Sequence, residues 1–326
     1  MGWKANRGVP AGSLATKPSR QETPTLMYEV ESEFLAGARL SVSPAGVRRF
    51  AMAGLGPGHL QVSATEMNIR SSEEVDRSAG KLRRVLGKGG RWGLLIPDAV
   101  ARLSVLHFET LPAKAAEVDA LLRWRIRETL GFPPGQARLS YQITQREAGG
   151  VELLVVAVKD DVLRQYEATL EPYQRDSASL ILPVTLPLLA LLPESQPGAQ
   201  LLTHVYSGCV THAVVEGSRL RLWRSRPPLQ REPGFELEEI LSEAARAAAS
   251  ARDRLGIQIE RAWCCVRAAT DGSNLSQGLS SILGMPVECL SLGAQAGAML
   301  STEEKEGFQP FGAPLAAIIV NSGAMV

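Results

Sequence analysis

The feature that most constrains this chain is that its two halves open in the same way. In the first, Ala38-Arg-Leu-Ser-Val-Ser43, a Pro44-Ala-Gly46 turn and Val47 to Ala53 alternate as a hairpin, which Gly54, Gly56 and Gly58 end. Ser71-Ser72-Glu73-Glu74 then offers N-cap and first-turn chemistry to a helix whose Val75, Ala79, Leu82 and Leu86 share one face as far as Gly87. An apolar strand, Arg91 to Pro97, follows. In the second half, Leu201 to Tyr206, Val210 to Val215 and Arg219 to Arg224 read as strands joined by Ser207-Gly208 and Glu216-Gly217-Ser218. A helix from Glu236 to Leu255 sets Leu237, Ile240, Leu241, Ala244, Ala245, Ala248 and Leu255 on one side, Gly256 closes it, and Arg261 to Arg267 is the next strand. Strand meander, helix and strand occur twice. The chain therefore reads as two α/β halves built on one supersecondary unit, although the residues of the two halves barely match.

The first half holds more than that unit. Lys114 to Leu130 is a helix with Val118, Leu121, Leu122, Ile126 and Leu130 at three- and four-residue spacing, stopped by Gly131 and Pro133-Pro134. Ala137 to Gln145 and Val151 to Val158 are strands joined by Glu147-Ala-Gly-Gly150, a hairpin signal. A helix plus a hairpin predicts a small inserted subdomain, about 112–158, with Ala101 to Phe108 as a further strand of the main sheet. Gly, Pro and Ser dominate the start of the chain, so residues 1–32 are expected to be a flexible tail. The first domain then spans 33–195 and the second, shorter one 196–326.

Composition removes several classes of function. Hydrophobic residues make 45% of the chain and charged ones 21%, which is globular. A formal net charge of +1 gives no overall field that would draw the chain to nucleic acid or an anionic membrane. The apolar stretch Leu180 to Pro193 is shorter than the roughly 20 residues a membrane helix needs and is broken by Pro183 and Pro187. Residues 1–24 lack the apolar run of a signal peptide, so the chain is expected in the cytoplasm. Cys209, Cys264, Cys265 and Cys289 show no CxxC spacing and read as reduced core residues. His59, His107, His204 and His212 form no ligand pattern, and His204 and His212 read as strand residues. A GxSxG elbow and a P-loop are both absent, and Gly54-x-Gly56-x-Gly58 opens no helix, so it reads as a loop. Neither a catalytic residue nor a metal ligand emerges.

Three stretches carry a resemblance. Leu94-Leu-Ile-Pro97 runs on to Leu111-Pro112; Leu121-Leu-Arg-Trp-Arg125 runs to Phe132-Pro133 and then to Leu139-Ser-Tyr141; Val151 to Lys159 leads into Tyr166. In this order the chain resembles the PilM family of type IV pilus assembly proteins, and with it the cytoplasmic part of the L protein of type II secretion. The likeness is most specific over 91–170 and follows element order over 35–326. It implies an actin-like fold: duplicated ribonuclease-H-like domains around a nucleotide cleft, a small helix-plus-hairpin subdomain inserted in the first, and a reduced second domain.

In such folds two hairpin turns hold nucleotide phosphates through convergent N–H groups and hydroxyls, and carboxylates place the magnesium ion. Carried onto this sequence, the first turn falls at Ser41-Val-Ser43-Pro-Ala-Gly46, with Ser41 where the family has an aspartate. The second falls at Tyr206-Ser207-Gly208, again without the aspartate, and Thr211 stands for the family's threonine. Asp271-Gly272 is what remains of the adenine loop. The resemblance thus makes Ser41, Ser43, Gly46, Ser207, Gly208, Thr211, Asp271 and Gly272 vestigial nucleotide turns, with no catalytic residue, no metal and no required cofactor. The competing reading is an active ATPase that binds magnesium and ATP in the cleft. It needs an Asp or Glu at the turns.

For function, the resemblance implies a cytoplasmic scaffold held at the inner membrane through a partner, the tail of a PilN-like protein lying beside the inserted subdomain. Arg123, Trp124 and Arg127 are the candidate partner-binding residues. Trp124 lies off the apolar face of its helix among Arg123, Arg125 and Arg127, the composition of an interface hot spot. The alternative is that it packs under the neighbouring hairpin. Arg219 to Arg226 alternates as a strand and reads as a solvated face before a nucleic-acid patch. Self-association stays open.

Overall fold

The computed structural model describes residues 24–42, 45–147, 149–170, 177–193, 198–206, 209–227, 237–267 and 272–290, with the backbone alone at 40–42 and 45–48. Its first element is a strand that the sequence pattern hides. All five residues of β1 (Leu26–Val30) are buried. It lies at the centre of its sheet, antiparallel to β2 (Phe34–Val42) and parallel to β4 (Trp92–Ile96). Leu26–Val30 therefore does not belong to the tail expected over 1–32, and residues 1–23 lie outside the described residues. A strand covered on both faces reads as a continuous apolar run without alternation, and this one directly follows a Gly- and Pro-rich stretch.

β3 (Ala45–Gly54) completes the meander, α1 (Ser72–Leu86) crosses back to β4, and β8 (Leu180–Pro183) closes the sheet in the order β3-β2-β1-β4-β8. The second half repeats this strand for strand. β9 (Ala199–Tyr206), β10 (Cys209–Glu216), β11 (Arg219–Arg226), β12 (Ile259–Arg267) and β13 (Val287–Cys289) order themselves β11-β10-β9-β12-β13. β9 thus answers to β1, and β12 to β4. α4 (Leu237–Leu255) answers to α1, and α5 (Gly272–Leu283) to α3 (Asp160–Leu170).

Between β4 and α3 the first half carries an insert that has no counterpart between β12 and α5. It comprises a 3-10 turn at Asp98–Val100, β5 (Ala101–Phe108), α2 (Ala115–Leu130), β6 (Ala137–Glu147) and β7 (Gly150–Lys159). β5 does not join the main sheet, because β4 is already flanked by β1 and β8. It forms a separate sheet in the order β5-β7-β6, so the subdomain starts at Ala101 and not near 112. α2 covers one face of that sheet, with Val118, Leu122, Ile126 and Leu130 against Leu153, Val155 and Ala157. The opposite face, through Leu154, Val156 and Val158, joins the main core. Gly150 begins β7 at φ 138°, where a Cβ would lie 2.5 Å from the Phe108 carbonyl oxygen. Gly150→Ala is expected to destabilise the chain by more than about 1 kcal/mol, read as a lower urea midpoint. An unchanged midpoint would mean that the hairpin backbone relaxes.

One core runs through both halves. Leu26, Leu94, Tyr166 and Leu188 are continuous with Leu202, Ala213, Val215 and Cys265 on the inward face of the second sheet. The outward face of that sheet is covered by α4 and α5. α4 is rotated from its apolar pattern: Ile240, Ala244, Ala247 and Ala251 are buried, whereas Leu237 and Leu255 are exposed. Glu243 turns inward to meet Arg226 and Arg246, a charge pairing that hydrophobic periodicity does not register. Cys209, Cys264 and Cys265 are buried free thiols, but Cys289 is exposed. Among the described residues no helix is long and apolar enough to cross a membrane.

Candidate functional site

Binding groups of α/β sheets gather at the carboxyl ends of the strands. Here the carboxyl ends of β1 and β4 meet those of β9 and β12, and each sheet sends a charged side chain into the other. Asp98, just past β4, is wholly buried. Its carboxylate accepts from the backbone N–H of Thr185 at 3.0 Å, from the Thr185 hydroxyl, and from the Thr211 hydroxyl at 2.6 Å. Its own N–H donates to the Tyr206 hydroxyl at 2.8 Å. Because Thr185 gives its proton to Asp98, its Oγ1 accepts from His204 Nδ1, 2.5 Å away. His204 is thereby held as the Nδ1–H tautomer, with Nε2 buried and without a partner among the described residues. Burial lifts Asp98 from 3.8 to about 6, against the lowering effect of the Thr185 and Thr211 bonds. Burial, with Arg267 nearby, pushes His204 well below its ordinary value, so the ring stays neutral.

The opposite contact completes a reciprocal clasp. Arg267, at the end of β12, pairs with Glu29 on β1, and both side chains are shut off from solvent. Its guanidinium also lies 5.2 Å from the centre of the Phe34 ring. Glu31, directly after β1, is wholly buried, and among the described residues neither of its oxygens meets an N–H donor. Burial raises it well above the usual carboxyl range, and Glu29 adds to the rise. Burial raises Glu29 too, with Arg267 opposing. The residue at the end of each fourth strand thus enters the first hairpin of the other sheet: Asp98 meets β9–β10, and Arg267 meets β1–β2.

The turns assigned from the sequence do not assemble here. With β1 in place, the hairpin turn that faces the cleft is Glu31-Ser32-Glu33, whereas Ser41 and Gly46 pair at the other end of the sheet, beyond Leu26. The assignment is displaced by one strand, since the β2–β3 hairpin carries the sequence signals of a first hairpin. Ser43, Ser207, Gly208 and Asp271 lie outside the described residues. Thr211 does reach the cleft, but its hydroxyl is committed to Asp98, and Gly272 opens α5. Sequence reasoning misses Glu29, Glu31, Asp98 and Arg267. The signal for three of them is a charge inside or at the carboxyl end of an apolar strand, where a charged residue is rare unless paired.

A second surface lies on α2. Trp124 is 57% exposed, with the Arg127 guanidinium 4.8 Å from its ring centre. Packing under the hairpin therefore does not occur. Arg125 is exposed beside it. Arg123 behaves differently. It donates to Asp119 at 2.6 Å and to the carbonyl oxygens of Pro134 and Ala137 at 2.6 and 2.9 Å, which ties α2 to the loop before β6. It positions the helix. On β11, Arg219 bonds Gln145, Arg221 pairs with Glu216, and Arg224 and Arg226 converge on Glu243, so these arginines are engaged within the fold.

In shape the chain is similar to a solved PilM–PilN type IV pilus biogenesis complex, with a TM-score of 0.71 at 15% identity over 92% of this chain and 99% of that one. It is also similar to a Bacteroides thetaiotaomicron protein with an actin-like ATPase fold and unknown function, with a TM-score of 0.54 at 11% identity over 85% of this chain and 94% of that one. The fold is actin-like. At these identities the likeness speaks for architecture, and the actin-like halves are the duplicated sheets described above. No family model and no curated protein sequence matches the chain.

Proposed function

We propose that this chain is a cytoplasmic scaffold of a type IV pilus, or related secretion, assembly platform, which holds the cytoplasmic tail of an inner-membrane PilN-like partner. The observation that carries this reading is Trp124, an exposed indole braced by Arg127 on the inserted subdomain of a fold shared with a PilM–PilN complex. A rigid aromatic beside a cation is the composition of a binding anchor.

In the same reading the cleft is degenerate towards nucleotide. The acids that the ATPase alternative needs are present, as Glu29, Glu31 and Asp98, but all three are wholly buried. Magnesium takes carboxylate oxygens that are open to the ion and its waters. Asp98 is bonded to Thr185 and Thr211, Glu29 is paired with Arg267, and burial holds Glu31 towards its neutral form. These groups do not fit a magnesium nucleotide.

The test is calorimetry of the full chain against a synthetic peptide of the partner's cytoplasmic tail. Trp124→Ala is expected to change folding stability by no more than about 0.5 kcal/mol, as an exposed substitution does. It should weaken tail binding about 30-fold, as the loss of a hot spot of roughly 2 kcal/mol does. Equal binding by both proteins would move the tail to another surface. Millimolar magnesium ATP should leave the melting temperature unchanged, and a rise that grows with ATP concentration would overturn the degenerate cleft.

A further inference from the structure

Of the four cysteines in the chain, two are brought together by the second sheet. β13 is the outermost strand of that sheet and pairs with β12 in parallel over three positions, Ala262 with Val287, Trp263 with Glu288 and Cys264 with Cys289. Neighbours in register on adjacent strands send their side chains to the same face. The Cys264 and Cys289 sulfurs accordingly lie 3.7 Å apart. Cys265, one residue on, points to the other face, into the core that runs through both halves. Cys209 lies in that core too, with its sulfur 2.9 Å from the Ser225 hydroxyl.

The two neighbouring thiols differ in access. Cys264 is shut off from solvent, in the apolar cluster that Leu275 and Leu279 of α5 share with Val287. Cys289 is exposed. Adjacent strands run about 4.8 Å apart, inside the roughly 4.4–6.8 Å separation of Cα atoms across which a disulfide closes. Joining the sulfurs therefore needs side-chain rotation and leaves both strands in place.

We infer that Cys264 and Cys289 form a redox-responsive dithiol, a modification site that a hydroperoxide converts into an intrachain disulfide. Exposure sets the order of the steps. The Cys289 sulfur attacks the peroxide, the O–O bond breaks, and the thiol becomes a sulfenic acid as water or an alcohol departs. The Cys264 sulfur then displaces the sulfenic hydroxyl, its own thiol proton leaves with that group as water, and the S–S bond forms. Two electrons pass from the pair of sulfurs to the peroxide. Burial, with Cys289 beside it, raises the Cys264 thiol above its ordinary value, which keeps it out of the first step. A small cellular thiol reverses the bond by attacking the exposed Cys289 sulfur, and disulfides of reducing compartments are of this transient kind.

The bond would tie down the edge of the sheet. β13 has only three residues, and α5 holds its first through the Ser276 hydroxyl, which donates to the Val287 carbonyl at 2.6 Å, and through the Val287 N–H, which donates to the Ser280 hydroxyl at 3.0 Å. At its other end the Leu290 N–H donates to the Cys264 carbonyl at 2.7 Å. A covalent link at Cys289 fastens that second end. This site is independent of Trp124 and of the pilus reading.

The test treats the full chain, freshly reduced, with a slight excess of hydrogen peroxide, blocks the remaining thiols by alkylation and digests the product with trypsin. Trypsin separates residues 262–267, which carry Cys264 and Cys265, from 268–305, which carry Cys289. The two fragments are expected as one linked species that dithiothreitol separates, and amide exchange across 287–290 should slow in the oxidised chain. Cys265→Ser should keep the linked species. Cys264→Ala should lose it and leave at Cys289 a sulfenic acid that dimedone traps. Cys289→Ser, an exposed change of little consequence for folding, should lose both the link and the trapped acid. No linked species, a link that survives Cys264→Ala, Cys289 joined to a second copy of the chain, or unchanged exchange after oxidation would overturn the inference.

Discussion

Arg267→Met is expected to lower folding stability by about 3–5 kcal/mol at neutral pH, the cost of leaving one half of a buried ion pair without the other. Methionine fills much of the same volume and keeps contact with Phe34, so the loss isolates charge from packing. In the variant Glu29 stays wholly buried beside Glu31 and Asp98 with no cation among the three. Glu29 then takes up a proton in the native state more readily than in the unfolded chain, and the penalty shrinks as pH falls. Removing both charges in Glu29→Gln with Arg267→Met should restore most of the stability, because replacing a whole buried pair is often close to neutral. Urea midpoints of the wild type, both single variants and the double variant complete the cycle. A loss below about 1 kcal/mol for Arg267→Met would place the pair in solvent, since that is the value of an exposed ion pair, and the clasp between the sheets would fall with it.

What the sequence shows of this fold follows from which interactions are local. Val75, Ala79, Leu82 and Leu86 lie on the buried face of α1 where the spacing puts them, and so do Val118, Leu122, Ile126 and Leu130 of α2. The exposure of Trp124 follows from the same helical phase. β1 was hidden because a doubly covered strand has no alternation to detect. The inward turn of Glu243 was hidden because its partners Arg224 and Arg226 stand on another element. The cleft is the extreme case. Asp98 and Thr211 are 113 residues apart in sequence, and Glu29 and Arg267 are 238 apart. Nothing short of the duplicated topology predicts that they touch. The family resemblance supplies that topology in outline, yet its residue-by-residue transfer slipped by one strand, because the β2–β3 hairpin carries the same signals as a first hairpin.

Asp98→Asn is expected to become progressively more favourable, relative to the wild type, as pH rises. Asp98 titrates at about 6 in the folded chain against 3.8 ordinarily, a difference equivalent to about 3 kcal/mol. An acid with a higher pKa folded than unfolded holds its proton more tightly in the native state. Its contribution to stability is fully present below about pH 4 and is lost as pH climbs through about 6. Asparagine has nearly the same shape, keeps an acceptor for the Thr185 N–H, and does not ionise. The stability difference between variant and wild type should therefore grow by about 2.4 kcal/mol between pH 4 and pH 7.5, most of the free energy of ionising Asp98 in its buried site. Glu29 and Glu31 are raised in the same direction, and the Asp98 charge contributes to both rises, so its removal eases their ionisation and adds to the growth with pH. Urea unfolding at matched slopes across that range measures the difference directly. A difference that stays constant with pH would mean that Asp98 titrates as an open carboxylate, and a cleft with an open carboxylate is one in which magnesium binding has to be considered again.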